Sequence, residues 1–329
     1  MNKRTIYTCI ILILLLFAVI LVSLSVGSSG ISFWEALKVI FGGAGDNTAM
    51  IIKQIRLPRI IMAVIAGAAL AASGCVFQGV LKNPLADPFT LGISGGAAFG
   101  ATAAFTLGFA ALGSFFVPLF AFLGALISVF IVYVLSSRKR FGGDSMILSG
   151  VIISYIFSSA VMLLYAFFYS NHIQAAFMWL MGNLSVFDEQ LLIYVCITVI
   201  LGVAALCLSG NIINMLSLGG DKSKTLGINT EKITKIIFLT ASLITASVVS
   251  LCGVIGFVGL MVPHIMRRIN GADNSSLIPV SALAGAVFLP LCDTLGRMLF
   301  SPVSIPVGVI TNIAGGLFFI FLLMNSKER

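Results

Sequence analysis

The chain has 329 residues, of which 59% are hydrophobic and only 9% are charged. Globular domains carry about 25% charged residues, so this composition excludes a soluble fold and predicts an integral membrane protein. The net charge of +8 is typical of Lys and Arg clustered on the cytoplasmic side of such a protein, and no basic, aromatic-interleaved segment indicates a nucleic-acid partner.

The first predicted element is an uncleaved transmembrane helix. Lys3 and Arg4 precede an apolar run that reaches Val26. This run is longer than the hydrophobic part of a usual signal peptide, and many further apolar stretches follow it. The N-terminal segment is therefore predicted to stay in the mature protein.

Stretches without Asp, Glu, Lys or Arg predict where helices cross the bilayer. A charge at the bilayer centre is costly, and one span needs about 20 residues. The charge-free stretches are 5–34, 60–81, 88–137, 145–187, 190–220, 236–266, 274–292 and 298–326. Because only helices satisfy their own backbone hydrogen bonds over such runs, the chain is predicted to be all-α.

Three of these stretches are interrupted. Stretch 88–137 is long enough for two helices and contains a glycine-rich break near 108–113. Stretch 145–187 predicts one span to about Tyr169 and then a short amphipathic piece. Three glycines and a proline in stretch 236–266 predict a span to about Val254, a reversal and a short helix. The total is about ten transmembrane helices.

The basic residues predict the orientation. With the N-terminus inside and ten crossings, fourteen of the 19 Lys and Arg residues lie on the cytoplasmic side. The other five are Lys38, Lys53, Arg56, Arg59 and Arg297. This bias predicts that both termini are cytoplasmic.

Small residues are abundant in the predicted spans. The chain has 33 glycines, and patterns such as AGAALAASG (66–74) and GISGGAAFG (92–100) occur within helices. Small residues let helix backbones approach closely in lipid, where there is little hydrophobic drive for association. These patterns predict a compact bundle.

No catalytic or metal-binding pattern is present. The cysteines fall in apolar runs without CxxC spacing and are predicted to be small buried residues: Cys9, Cys75, Cys196, Cys207, Cys252 and Cys292. His172 and His264 are far apart and have no Glu or Cys at ligand spacing. The sequence also lacks a Walker A motif, so any ATP that drives this protein must be hydrolysed by another chain.

Two polar segments predict contacts with other proteins. Arg56 and Arg59 lie three residues apart just before a span on the predicted outer side, where a positive pair can dock an acidic patch. The longest cytoplasmic connection, 214–235, contains leucines that are too apolar for a free loop. It therefore predicts a docked partner.

The stretch QGVLKNPLADPFTL (78–91) is the predicted cytoplasmic turn between the second and third helices. Pro84 and Pro88 stop one helix and set the start of the next. Asn83 and Asp87 can bond the backbone groups that become free there. A rigid corner is therefore expected.

Residues 56–101 resemble the signature of the FecCD-type permeases, which are membrane subunits of type II ABC importers for ferric siderophores, haem and cobalamin. Three later stretches match in family order: LGGDKSKTLGIN (218–229), GFVGLMVPHIMRRINGADN (256–274) and IPVGVITNIAGGLFFIFLL (305–323). The resemblance covers nearly the whole chain. It implies one transmembrane permease domain over 1–329, a multi-pass protein of the bacterial cytoplasmic membrane.

The resemblance also implies roles for particular residues. Arg56, Arg59 and Arg297 match outer arginines that pair with glutamates of an extracytoplasmic substrate-binding protein, and Asp293 is expected to pair locally with Arg297. Segment 214–231 matches the coupling helices that contact the ATPase subunit, with family positions at Leu218, Gly219, Gly220, Leu226 and Gly227. Residues in 146–169 and 306–324 are candidates to line a pathway between two permease subunits, the same or sister chains.

The function that the resemblance implies is the permease subunit of an ATP-driven importer, with ATP used by the partner ATPase and no cofactor bound by this chain. A ferric siderophore is the expected substrate, with haem or cobalamin as alternatives. An ion-coupled secondary transporter would need midplane carboxylates, which 88–137, 145–187 and 236–266 lack. An enzyme acting on lipid-linked substrates would need paired acids, whereas Asp87 stands alone between prolines.

Overall fold

A computed structural model describes residues 3–27, 33–40, 46–137, 143–168, 173–185, 188–217, 230–299 and 304–325. All regular secondary structure within these ranges is helical. The elements are α1 (Lys3–Ser25), α2 (Phe33–Ile40), α3 (Asp46–Met50), a π-helical turn (Ile51–Arg56), α4 (Leu57–Leu81), α5 (Ile93–Thr106), a 3₁₀ turn (Phe109–Leu112), α6 (Phe116–Ser137), α7 (Gly143–Phe167), α8 (Ile173–Leu180), α9 (Glu189–Leu208), α10 (Gly210–Ser217), α11 (Thr230–Cys252), α12 (Val258–Asn270), α13 (Asn274–Leu299) and α14 (Val307–Asn325).

Eight of the described helices are long and apolar enough to cross a membrane. They are α1, α4 with the turn before it, α6, α7, α9, α11, α13 and α14. A span needs about 20 residues, whereas α5 and α12 have 14 and 13. The total of about ten transmembrane helices therefore stays a prediction, with eight of full spanning length among the described residues.

The predicted helix breaks are present. Between α5 and α6, Gly108 and Gly113 have φ angles of 82° and 149°. Between α11 and α12, Gly253 and Phe257 have φ angles of 73° and 66°. Positive φ ends a helix at little cost only where no Cβ is present, so the three glycines are the residues that permit these reversals.

The centre of the bundle is the antiparallel pair α4 and α13, whose backbones are in direct contact. A Cβ on Gly67 would lie 2.1 Å from the carbonyl oxygen of Gly285, and a Cβ on Gly74 would lie 1.9 Å from that of Gly259 in α12. No larger residue fits at these crossings. The close packing predicted from the small-residue patterns is confirmed.

Several helices surround this centre and expose apolar side chains. The most apolar part of α4 is 78% buried, whereas that of α1 is 11% buried and those of α7, α9 and α14 are 22% buried. Such exposed apolar surface is suited to lipid or to a second membrane subunit. Helices α7 and α14 contain the segments expected to line a pathway, and that role stays a prediction.

The contacts between helices define two ends of the bundle. Arg59 near the start of α4 is paired with Asp293 near the end of α13, and we call this the arginine end. At the other end, Gln78 near the end of α4 donates a hydrogen bond to the carbonyl oxygen of Gly259 at 3.3 Å. We call this the turn end, because residues 82–92 follow there. The arginine end is the predicted outer side.

Candidate functional site

The turn end contains the non-helical segment that was predicted as a corner. Lys82 adopts a left-handed conformation with φ of 52° and ends α4. The Asn83 side-chain oxygen accepts a hydrogen bond from the backbone N–H of Leu85 at 2.9 Å, and its carbonyl accepts from that of Ala86 at 3.1 Å. The structure thus places Asn83 and Pro84 in a turn that satisfies its own backbone.

Asp87 occupies a buried position in the same segment. It is 6% exposed, and a Cβ on Gly259 of α12 would lie 2.6 Å from its Oδ1. Burial raises the pKa of the Asp87 carboxyl to about 7, although the nearby backbone N–H of Phe89 favours the ionised form. Pro88 is buried beside it. Asp87 and Pro88 are therefore packed against α12, whereas Pro84 in the first part of the corner is exposed.

At the arginine end, one carboxylate is shared by two arginines. Arg59 Nη2 lies 2.8 Å and its Nε 3.1 Å from Asp293 Oδ1, so the contact has two points of attachment. Arg297 Nε lies 3.1 Å from Asp293 Oδ2, which confirms the predicted local pair. Arg59 also donates to the Ser185 hydroxyl at 2.9 Å. Through its contacts with Asp293 and Ser185, Arg59 therefore connects α4 to α13 and to the segment after α8.

At the arginine end, Arg297 and Arg56 also form hydrogen bonds with the last turn of α1 and the residue after it. Arg297 donates to the carbonyl oxygen of Val26 at 2.8 Å and to the Ser23 hydroxyl at 2.7 Å. Arg56 donates to the carbonyl oxygen of Leu24. Carbonyl groups at the end of a helix have no partner within it and carry partial negative charge, so guanidinium groups are suitable caps. We call Arg56, Arg59, Asp293 and Arg297 the arginine cluster.

The burial of the arginine cluster differs from expectation. The sequence predicted that Arg56 and Arg59 face outward, but Arg56 is 5% exposed and the Arg59 side chain 15%. The Arg297 side chain is 10% exposed. The reason is that α1 carbonyls and the Asp293 carboxylate lie opposite these side chains and attract them inward. A docking role for the three arginines stays a prediction.

A cavity of about 410 Å³ opens at the arginine end between α6 and α8. Its wall is mostly apolar and includes Trp179, with Ser185 and Asp188 among the polar lining residues. Asp188 Oδ1 caps α9 by accepting from the backbone N–H of Gln190 at 3.0 Å, while its Oδ2 accepts from the Ser114 hydroxyl at 3.3 Å. These polar groups are engaged in holding the fold.

The predicted ATPase-coupling positions Leu218, Gly219, Gly220, Leu226 and Gly227 lie outside the described residues. The structure does describe α10, which leads directly into them. Asn214 of α10 bonds Asp273 and Asn274 at the start of α13. Sequence reasoning did not single out Asn214, because its partners are about sixty positions away and no local pattern marks it.

Comparisons with known proteins identify the family. A model of the FecCD transport family matches residues 14–325, almost the whole chain. The chain belongs to the FecCD transport family. The resemblance seen in the sequence is therefore confirmed.

Relatives named for different substrates match this FecCD chain over most of its length. The Fe(3+)-citrate import system permease protein YfmE of Bacillus subtilis is 34% identical, with 100% of this chain and 98% of that protein covered. The cobalamin import system permease protein BtuC of Halobacterium salinarum is 37% identical, with 90% and 80% covered. The hemin transport system permease protein HmuU of Yersinia pestis is 34% identical, with 94% and 95% covered.

A solved structure shows the same fold. It is described as "an inward-facing conformation of a putative metal-chelate type ABC transporter" and matches with a TM-score of 0.84 at 29% identity, covering 98% of this chain and 99% of that chain. The FecCD chain is therefore an ABC importer permease with an all-α membrane fold. Together with the eight apolar helices, this identifies a multi-pass protein of the bacterial cytoplasmic membrane.

Proposed function

We propose that this FecCD chain is the permease subunit of an ATP-driven importer that moves a ferric siderophore across the cytoplasmic membrane. The observation that carries the proposal is the match to the ferric citrate permease, which extends over 100% of this chain. Haem and cobalamin are the alternative substrates, favoured by the similarity to the hemin and cobalamin permeases over 94% and 90% of this chain.

The distribution of charge supports ATP-driven rather than ion-coupled transport. In the described spanning helices, Asp, Glu, Lys and Arg residues lie near helix ends, such as Asp144 at the start of α7 and Arg297 at the end of α13. A proton- or sodium-coupled transporter usually carries carboxylates near the bilayer midplane. Energy for import would instead come from ATP hydrolysed by separate ATPase subunits, with no cofactor bound by this chain.

The partners follow from the same proposal. A second permease subunit, either the same chain or a sister chain, would complete the pathway against α7 and α14. ATPase subunits would contact the segment around Gly219, Gly220 and Gly227. An extracytoplasmic substrate-binding protein would dock over the arginine cluster, where its acidic side chains would compete with Asp293 for the guanidinium groups.

An uptake panel tests the substrate. Cells that lack this gene and cells that carry it are given ⁵⁵Fe-labelled ferric hydroxamate siderophore, ⁵⁵Fe-citrate, haemin or labelled cyanocobalamin. Gene-dependent accumulation of the ferric siderophore supports the proposal. Gene-dependent accumulation of haemin or cobalamin alone contradicts the substrate but keeps the importer class.

A further inference from the structure

The cavity at the arginine end has the size and the wall of a site for a small apolar molecule. Its volume is about 410 Å³. Pockets for small molecules have volumes of roughly 300–1,000 Å³ and mostly apolar walls with a few polar groups. Lining residues come from α5, α6, α8, α9 and α11 and from the segments that connect them. The proposed import function gives this space no role.

The mouth of the cavity is bordered by exposed apolar side chains. Met178 on α8 is exposed, and so are Leu112 and Phe115 on either side of the lining segment 113–114. Exposed apolar residues continue along α6 at helical spacing, namely Leu123, Ile127 and Phe130. The second permease subunit is proposed to cover α7 and α14, which leaves α6 to the bilayer. The mouth is therefore accessible to hydrocarbon chains.

Asp188 is the one ionisable side chain among the lining residues that the structure describes. Its Oδ1 accepts from the backbone N–H groups of Gln190 and Leu191 at 3.0 and 3.2 Å. Its Oδ2 accepts from the Ser114 hydroxyl at 3.3 Å. An ionised carboxylate has about four acceptor positions. Asp188 can therefore cap α9 and still accept one further hydrogen bond at Oδ2.

The charges around Asp188 favour a positively charged donor. Glu189, the next residue, is exposed and adds a second negative charge. The guanidinium group of Arg59 bonds the lining residue Ser185, but it is also paired with the carboxylate of Asp293. A cationic group near Asp188 thus meets an attractive field, whereas an anionic group meets two carboxylates.

We propose that this cavity binds one acyl chain of a bilayer lipid whose ammonium headgroup donates a hydrogen bond to Asp188 Oδ2. The hydrocarbon chain matches the apolar wall, and the ammonium group matches the carboxylate. The lipid comes from the leaflet at the arginine end, because the mouth opens beside the apolar surface of α6. A bound chain fills the space between α6 and α8, whatever substrate the protein imports.

Trp179 in the cavity wall allows occupancy to be measured. The chain has two tryptophans, and the other is Trp34 on α2. In the Trp34→Phe background, the fluorescence of the purified full-length chain therefore comes from Trp179 alone. Phosphatidylethanolamine with brominated acyl chains is titrated into detergent micelles that contain this chain, and bromine quenches the fluorescence on contact. Phosphatidylglycerol and phosphatidylcholine with the same brominated chains are the comparison lipids.

Three variants in this background separate the headgroup contact from the chain contact. Asp188→Asn removes the charge but keeps a good N-cap for α9. Its matched control is Glu189→Gln, which removes the same charge at a position that does not line the cavity. Ala175→Phe adds a ring at an exposed lining position on α8, so it reduces the space without disturbing the core.

We expect saturable quenching by phosphatidylethanolamine at a concentration about tenfold lower than that of either comparison lipid, the effect of one hydrogen bond between charged groups. Asp188→Asn should abolish this preference, and Glu189→Gln should keep it. Ala175→Phe should reduce quenching by phosphatidylethanolamine. Equal quenching by the three lipids in the Trp34→Phe chain, or an unchanged preference in Asp188→Asn, would overturn the inference.

Two further outcomes also decide the question. If Asp188→Asn does not fold, Ala175→Phe provides the test, because unchanged quenching in that variant shows that lipid reaches Trp179 from outside the cavity and overturns the inference. If the substrate-binding protein shields Trp179 from all three lipids equally, the cavity is a protein contact and the inference also fails. Both results leave the proposed import function intact.

Discussion

Replacement of Asp293 by Asn is a sharp test of what holds the arginine end together. Asp293 is 2% exposed and is paired with both Arg59 and Arg297. The substitution keeps the side-chain shape but removes the negative charge between two guanidinium groups. Breaking a buried ion pair by removing one partner costs about 3–5 kcal/mol.

We expect Asp293→Asn to lower the free energy of unfolding by about 3 kcal/mol, the lower part of that range. The reason is that each arginine keeps a second acceptor, the Ser185 hydroxyl for Arg59 and the Val26 carbonyl for Arg297. The assay is reversible unfolding of the purified chain in mixed SDS micelles. Lys53→Gln, which removes a charge at an exposed position before α4, should change stability by less than about 0.5 kcal/mol.

A double-mutant cycle separates the ion pair from other effects. Asp293→Asn combined with Arg59→Gln removes both charges, and the loss should fall short of the sum of the single losses by about 1 kcal/mol or more. If Asp293→Asn costs no more than Lys53→Gln, or if the two losses simply add, then the shared carboxylate does not hold the arginine end and the reasoning is refuted.

Two further predictions concern the helix crossing and the turn end. Gly67→Ala should destabilise the chain by about 1–3 kcal/mol, because its Cβ would lie 2.1 Å from the Gly285 carbonyl oxygen. The control is Gly316→Ala, because nothing lies within 4 Å of a Cβ at that position. Equal losses of unfolding free energy in the two variants would contradict the close packing. Because burial raises the pKa of Asp87 to about 7, the folded chain holds this proton more tightly than the unfolded chain, and stability should fall as pH rises from about 4 to about 7. Asp87→Asn should reduce this dependence of the unfolding free energy on pH, measured by denaturant titrations across the same range. An unchanged pH dependence in the variant would contradict a raised pKa for the buried Asp87 carboxyl.

The membrane architecture follows from local sequence signals. Charge-free stretches of about 20 residues locate spans because charges are costly in lipid. Glycines locate the two reversals near Gly108 and Gly253, because positive φ is a local backbone requirement. Each of these signals is contained within a few neighbouring residues, which explains why it can be recognised without knowledge of the packing.

The arrangement at the two ends depends on contacts that no local pattern contains. Arg59 and its partner Asp293 are 234 positions apart, and Asn214 and Asn274 are 60 apart. The positive residues at 56 and 59 were correctly placed beside a span, but their inward direction is set by the α1 carbonyls and the Asp293 carboxylate. Only the packed bundle shows that these groups meet.

ATP-driven import of a ferric siderophore is the function that we propose for this FecCD chain. Its most direct measurement is uptake of ⁵⁵Fe-labelled ferric hydroxamate siderophore into proteoliposomes that contain the chain and its ATPase, with the binding protein added outside. We predict uptake that requires ATP inside the vesicles and persists when proton and sodium gradients are abolished. Uptake that proceeds without the ATPase and follows an ion gradient would contradict the account.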